Sequence, residues 1–179
     1  MVSVEQIEGN MNIRIELLSE KKLVGKRLQM SFSNDRTPEL WRSFMLQKKE
    51  IQNTVGSDLF SLQHYENINP FEDFNPETIF EKWATIEVTD FNNIPEGMEV
   101  FTLTGGLYAV FDYKGNQPEI FQYIFQTWLP DSGYELEKRP HFEVLGEKYN
   151  NNDPNSEEEI WIPLQKSCPD GNHLGNLSK

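Results

Sequence analysis

Thr37-Pro38-Glu39-Leu40-Trp41-Arg42-Ser43-Phe44-Met45 and Gln117-Pro118-Glu119-Ile120-Phe121-Gln122-Tyr123-Ile124-Phe125 lie 80 residues apart (117 − 37 = 80). Their apolar positions fall in register: Leu40 with Ile120, Trp41 with Phe121, Phe44 with Ile124, Met45 with Phe125. At the same offset, Leu23-Val24-Gly25 overlays Leu103-Thr104-Gly105. A helix and a preceding strand repeating at one offset predict two similar halves, each needing its neighbour to bury a face. The seam between two such halves is a natural place for a ligand.

Working outward, Asn12–Leu18 and Lys22–Phe32 read as strands. Thr37 is a plausible N-cap with Pro38 at the first helical position, and the helix is predicted to run to about Ile51. Leu59–Tyr65 and Trp83–Thr89 follow as strands, separated by a long loop rich in Asn, Pro and Phe. In the second half, Met98–Thr104 and Leu107–Tyr113 read as a hairpin across Gly105-Gly106. Asn116 is expected to cap a helix through about Leu129 that stops before Pro130. Phe142–Gly146 and Glu158–Leu164 close the half. The fold class expected is α+β: two β-α-β-β repeats with pseudo-twofold symmetry. They share an antiparallel sheet with both helices on one face and a ligand cleft between the halves. The domain is expected over residues 12–165, with halves of about 12–90 and 98–165 and tails at 1–11 and 166–179.

Apolar content of 37%, with four Trp, six Tyr and twelve Phe, suffices for a packed interior. No run approaches the roughly 18 apolar residues of a membrane span. The polar, acidic stretch Met1–Asn10 does not read as a signal peptide. Cys168 is the single cysteine, which rules out an intrachain disulfide and fits a reducing cytoplasm. The net charge of −13 repels phosphate backbones, so direct nucleic-acid binding is not expected. The same charge favours cationic partners.

Alternation along the strands points to a site. Ile160, Ile162 and Leu164 share one face and Trp161 lies on the other. Ala84, Ile86 and Val88 make an apolar side, with Trp83, Thr85 and Glu87 facing away. Phe142 and Val144 share a face opposite His141, Glu143 and Leu145. With the aliphatic sides under the helices, Trp83, Glu143 and Trp161 are expected to share the remaining face. Aromatic rings with one carboxylate suit an organic cation.

Four segments, Gly106-Leu-Tyr-Ala-Val-Phe, Trp128-Leu-Pro-Asp-Ser-Gly-Tyr, Arg139-Pro-His-Phe-Glu143 and Ile160-Trp-Ile-Pro-Leu, carry a family likeness. Over roughly residues 12–165 the chain resembles the GyrI-like small-molecule-binding domain, the effector-binding domain of AraC-type and MerR-type multidrug regulators. The resemblance implies two β-α-β-β halves with ligands stacked on aromatics between them and a glutamate meeting positive charge. Carried over by position, Glu143, Trp161, Trp83 and Tyr108 would line the site. Phe111 is the weaker carry-over, since its alternation sets it opposite Tyr108. About eleven residues precede the domain, which leaves no room there for a helix-turn-helix and implies a stand-alone bacterial member.

His64, His141 and His173 show no metal spacing, and neither metal nor cofactor is expected. Cys168 lies in an expected tail, Gly105-Gly106 lacks a phosphate-loop pattern, and Asn176-Leu177-Ser178 without a secretion signal carries no weight. Trp41 and Trp128 read as core residues on helix stripes. The expected function is binding of small, cationic or aromatic organic molecules, linked to transcription regulation or drug response, with no chemistry required. One alternative is a hydrolase with Glu143 as general acid or base and Tyr108 assisting. Another is a protein-interaction modulator of a DNA-handling enzyme such as gyrase, with a protein partner.

Overall fold

A computed structural model describes residue 9 and residues 11–65, 75–115, 119–151 and 153–167. The expectations for Asn116, Cys168, His173 and Asn176, and for most of the Asn- and Pro-rich loop, lie outside the described residues. The elements in chain order are β1 (Met11–Leu18), β2 (Lys21–Met30), α1 (Thr37–Gln47) with a 3-10 turn (Lys48–Glu50), β3 (Thr54–His64) and β4 (Phe80–Val88). The second half holds β5 (Glu99–Leu103), β6 (Gly106–Lys114), α2 (Glu119–Tyr123), a π-helical turn (Ile124–Trp128), α3 (Leu129–Asp131), β7 (Tyr134–Leu136), β8 (His141–Leu145) and β9 (Glu157–Lys166). All pairings are antiparallel, in the order β1-β6-β9-β8-β3-β4-β2-β5, with β7 against β9. Among the described residues no helix is long and apolar enough to cross a membrane.

The two halves meet twice. At one seam β3 pairs with β8, from Leu59↔Leu145 to Gln63↔His141. At the other, β1 pairs with β6 down to Leu18↔Gly106 and β2 pairs with β5 from Lys21↔Leu103. Partner numbers add to 124 in both ladders, so β1–β2 and β5–β6 form one continuous ribbon. The expected hairpin across Gly105-Gly106 is therefore incorrect. Each of those strands is already paired with the other half, and the chain passes straight on. At the crossing a Cβ on Gly105 would stand 2.6 Å from the Leu18 carbonyl oxygen, a space only glycine leaves free.

The repeat holds in the helices and fails in the strand. Leu40 and Ile120 are both buried, as are Phe44 and Ile124. Gly25, in contrast, lies inside β2, whereas Gly105 lies in the link between β5 and β6. Thr37 is the first helical residue rather than the cap; its N–H donates to Asp35 Oδ1 at 2.8 Å, placing a carboxylate at the helix start. The second helix continues through Pro130 to Asp131 instead of stopping before it. The π-helical turn just ahead has left the i→i−4 ladder, so the missing proline N–H removes little there.

Both helices cover the same sheet face. Ala84, Ser61, Glu143 and Ile160 stand opposite one another in turn across β4, β3, β8 and β9, which fixes them on one side. On that side Leu40 and Phe44 pack with Val24, Ala84, Ile86 and Val88. Ile120 and Ile124 pack with Phe111, Ile160 and Ile162. The other side carries a third apolar cluster, with Leu23, Phe60, Leu62, Trp83, Tyr108, Val110, Phe142 and Trp161. A sheet covered on both faces has strands buried almost throughout, as in Phe80–Val88.

Two outcomes test this packing. A Cβ on Gly25 would lie 1.9 Å from the Ala84 carbonyl oxygen and 2.8 Å from Thr85 Cα, both backbone atoms. Gly25→Ala is expected to lower stability by about 3 kcal/mol or more in urea unfolding. Gly56→Ala, where nothing stands within 4 Å, should change it far less. His141 is buried against Phe125 and Tyr65, and burial lowers its pKa to about 4. The unfolded chain takes that proton near pH 6.5. The native state thus binds fewer protons between about pH 4 and 6.5, and the contribution is whole above that window and lost as pH falls through it. Relative to His141→Gln, the wild type should lose about 2–4 kcal/mol between pH 7 and pH 4; groups common to both proteins cancel in the comparison.

Candidate functional site

β8 brings Glu143 to the helix side of the sheet, at the seam and between the two helices. Its ladder partner across the seam is Ser61, whose small side chain leaves space over the middle of the sheet. The space is a groove of about 800 Å³ between α1, β3, β4, β8 and the loop after β8. Its walls include Trp41 and Met45 of α1, Leu59, Leu145 and Tyr149; Lys82 and Glu143 lie at its floor. Trp41 is held edge-on against Phe44, at 5.8 Å between centroids, which anchors it to the core while leaving it half-buried. On the α2 side of Glu143 the space closes to about 10 Å³, room for about one water, between Phe121, His141, Ile160 and Gln63.

The floor is charged. Lys82 is 5% exposed, and its ammonium lies 3.6 Å from Glu143 Oε2. A buried lysine needs a counter-charge, and this one has it at a distance beyond a good hydrogen bond. Glu158 on β9 shares the face of Ile160, the residue that pairs with Glu143. Burial, with the nearby Glu143 charge and against the pull of Lys82, raises its pKa above the usual carboxylate range. Burial and then the charges of Glu158 and Glu143 likewise raise the Tyr149 phenol, and burial with Glu143 raises that of Tyr65. Tyr65 donates its hydroxyl to Gln63 Oε1 at 2.7 Å. Among the described residues no cluster of three or more metal-ligating side chains occurs.

The structure separates the residues singled out from sequence. Glu143 is in the groove. Trp83, Tyr108 and Trp161 come together, but in the cluster on the opposite face. There Tyr108 and Trp161 meet at 5.8 Å, and Arg139 lies over the Tyr108 ring at 4.4 Å. Burial pushes the Tyr108 phenol up to about 12. Phe111 sits on the helix face, though deep under the second helix and against Trp128. The face shared by Trp83, Glu143 and Trp161 is thus corrected: Phe142, not Glu143, stands opposite Trp161. Alternation orders residues within a strand but cannot say which of two apolar faces bears the helices; the register does. Trp41, Lys82, Tyr149 and Glu158 were missed. Trp41 carried a signal in the repeat, since it matches Phe121 and the two flank Glu143 from opposite sides.

With this geometry in place, the chain can be set beside known proteins. The transcriptional regulator BrlR of Pseudomonas aeruginosa is 28% identical over 160 residues. The match covers 87% of this chain and 56% of BrlR, so the chain spans little more than half the length of that curated relative. An integron cassette protein from Vibrio cholerae has the same fold, with a TM-score of 0.61 and 17% identity over 87% of this chain and 96% of that one. The SAV2435 protein, solved bound to tetraphenylphosphonium, gives a TM-score of 0.57 and 18% identity over 86% and 94%. The model of the integron-associated effector binding proteins matches residues 14–164, and the chain belongs to that family.

Proposed function

We propose that the groove over the seam binds a small organic molecule with an aromatic or apolar body and a positive charge, as the effector site of a protein linked to transcription regulation or drug response. The observation that carries the reading is a carboxylate, Glu143, at the floor of an 800 Å³ groove walled by Trp41, Met45, Leu59, Leu145 and Tyr149. Such a groove removes an apolar body from water, while the rings and the carboxylate favour a cation. Asp35 and Glu147 at its edge add to the negative field. The tetraphenylphosphonium bound to SAV2435 is an aromatic cation of this class. BrlR is named a transcriptional regulator, which supports the link to regulation.

Binding without turnover fits the arrangement better than hydrolysis. Tyr108, the group that would have assisted Glu143, lies on the other face of the sheet. The charge nearest to hand, Lys82, holds Glu143 in an ion pair rather than leaving it to take a proton from water.

Tetraphenylphosphonium titrated into the protein is expected to quench tryptophan fluorescence, and Trp41→Phe should remove most of that signal. Glu143→Gln should weaken binding at least about tenfold, because it also leaves the buried Lys82 charge unpaired. Wild-type affinity in Glu143→Gln would remove the charge role. The ligand should be recovered unchanged by mass spectrometry after prolonged incubation; turnover lost in Glu143→Gln while binding persists would make the groove an active site.

A further inference from the structure

A cation in the groove would sit over a floor that already holds one. Lys82 lines the groove beside Glu143, its side chain is 6% exposed, and the two groups together are neutral. A ligand with positive charge alone would bring net positive charge to a partly dry site. Its attraction to Glu143 would be offset by repulsion from Lys82.

The ammonium also has hydrogen-bonding capacity to spare. It carries three N–H donors. Among the described residues Glu143 is its ion-pair partner, at 3.6 Å, and the ammonium donates no hydrogen bond. Its ladder partner on β3, Gln63, already accepts the Tyr65 hydroxyl. Water satisfies such donors in an open groove. A ligand body that dries the floor removes that water, and a ligand group that cannot replace its hydrogen bonds loses affinity. The floor therefore asks for an acceptor on the ligand, close to the positive charge.

We propose that the ligand of the groove is a zwitterion: an aromatic or apolar body with a cationic centre that meets Glu143 and, a few atoms away, a carboxylate or other anionic oxygen that accepts from Lys82. The proposal rests on the groove reading above and narrows its ligand class. Laid antiparallel to the Lys82–Glu143 pair, such a ligand sets each charge against its opposite and leaves the floor neutral. At 3.6 Å the pair is loose, so neither group breaks a good hydrogen bond in turning to the ligand, and the lysine stem turns about several bonds. Asp35 and Glu147, the other charged residues of the groove, are both acidic, so Lys82 is the lining cation that an anionic end can meet. Ser61 lines the same floor and has a hydroxyl free to turn as a donor. A site with buried polar groups rejects analogues that leave them unpaired, which makes Lys82 the residue that sets selectivity.

The test compares two ions that share a triphenylphosphonium body. One is (2-carboxyethyl)triphenylphosphonium, a zwitterion at pH 7; the other is propyltriphenylphosphonium, its purely cationic analogue. Both are titrated into the full chain by calorimetry at pH 7. Two general effects favour the propyl compound: it has more apolar surface, and the protein's net charge of −13 attracts a cation rather than a neutral zwitterion. The zwitterion is nevertheless expected to bind at least about tenfold more tightly. Lys82→Met should reverse the order, because the ligand carboxylate then faces Glu143 with no cation between them. Lys82→Arg should keep the zwitterion ahead. If the propyl compound binds the wild type as tightly as the zwitterion, or more tightly, the proposal falls and the groove reading stands. If the zwitterion leads by the same factor in Lys82→Met, the preference has another source and the proposal falls likewise. If neither compound binds the wild type, both fall. The ligand comparison is read on the unaltered protein, and Lys82→Gln, with a polar head and no charge, repeats the loss of preference should Lys82→Met fail to fold.

Discussion

The five residue pairs of the β3–β8 ladder are the constraint on which the rest of the structure depends. Each half leaves a strand edge open at the pseudo-twofold axis, and an unpaired edge is both costly and prone to pair elsewhere. Joining β3 to β8 closes the two edges on each other, and the ribbon of β1–β2 with β5–β6 joins the halves again on the far side. The register of that ladder then decides the chemistry. It sets Glu143 against Ser61 and Gln63 against His141, while the β3–β4 ladder sets Gln63 against Lys82. Lys82 and Glu143 thus meet diagonally across β3, over the small side chain of Ser61.

That geometry explains which parts of the molecule were legible in sequence. The helix repeat was legible because burial is periodic: Leu40, Phe44, Ile120 and Ile124 all point into the core and must be apolar. Antiparallel strands and two helices on one face followed from it. The sheet's faces were not legible, because both are apolar. Trp161 looks outward to anyone who assumes a single core, yet it packs with Phe142 at 5.3 Å in a second one. The crossing at Gly105 was not legible either. Two adjacent strands joined by a glycine read as a hairpin unless the partner strands from the other half are known.

The site shows the same division. Glu143 could be found from sequence because the four segments carrying the family resemblance include it. Lys82 and Glu158 could not, since each sits among charged or polar neighbours along its own strand and acquires meaning only through residues on other strands. Their separations in sequence, 61 residues from Lys82 to Glu143 (143 − 82) and 15 from there to Glu158 (158 − 143), carry no pattern. The effector-binding family and its fold stand; the aromatic lining expected of Trp83, Tyr108 and Trp161 instead packs in the apolar cluster on the sheet face away from the helices.

Pseudo-symmetry would offer two equivalent grooves, one beside each helix; among the described residues the space by Glu143 is about 800 Å³ on the α1 side and closes to about 10 Å³ on the α2 side. The difference is seen at two repeat positions, Met45/Phe125 and Trp41/Phe121. Met45 is 50% exposed, whereas its counterpart Phe125 is 8% exposed and stacks on His141 at 5.5 Å. A flat ring over the imidazole fills what a flexible thioether leaves open. Phe121 then closes over Glu143 from the α2 side, where Trp41 stands back to form a wall. The buried, neutral His141 is part of this closure: a protonated imidazole there would place a second cation beside Lys82 and oppose any ligand charge. One half of the repeat therefore closes over Glu143, and the other leaves it open to the groove.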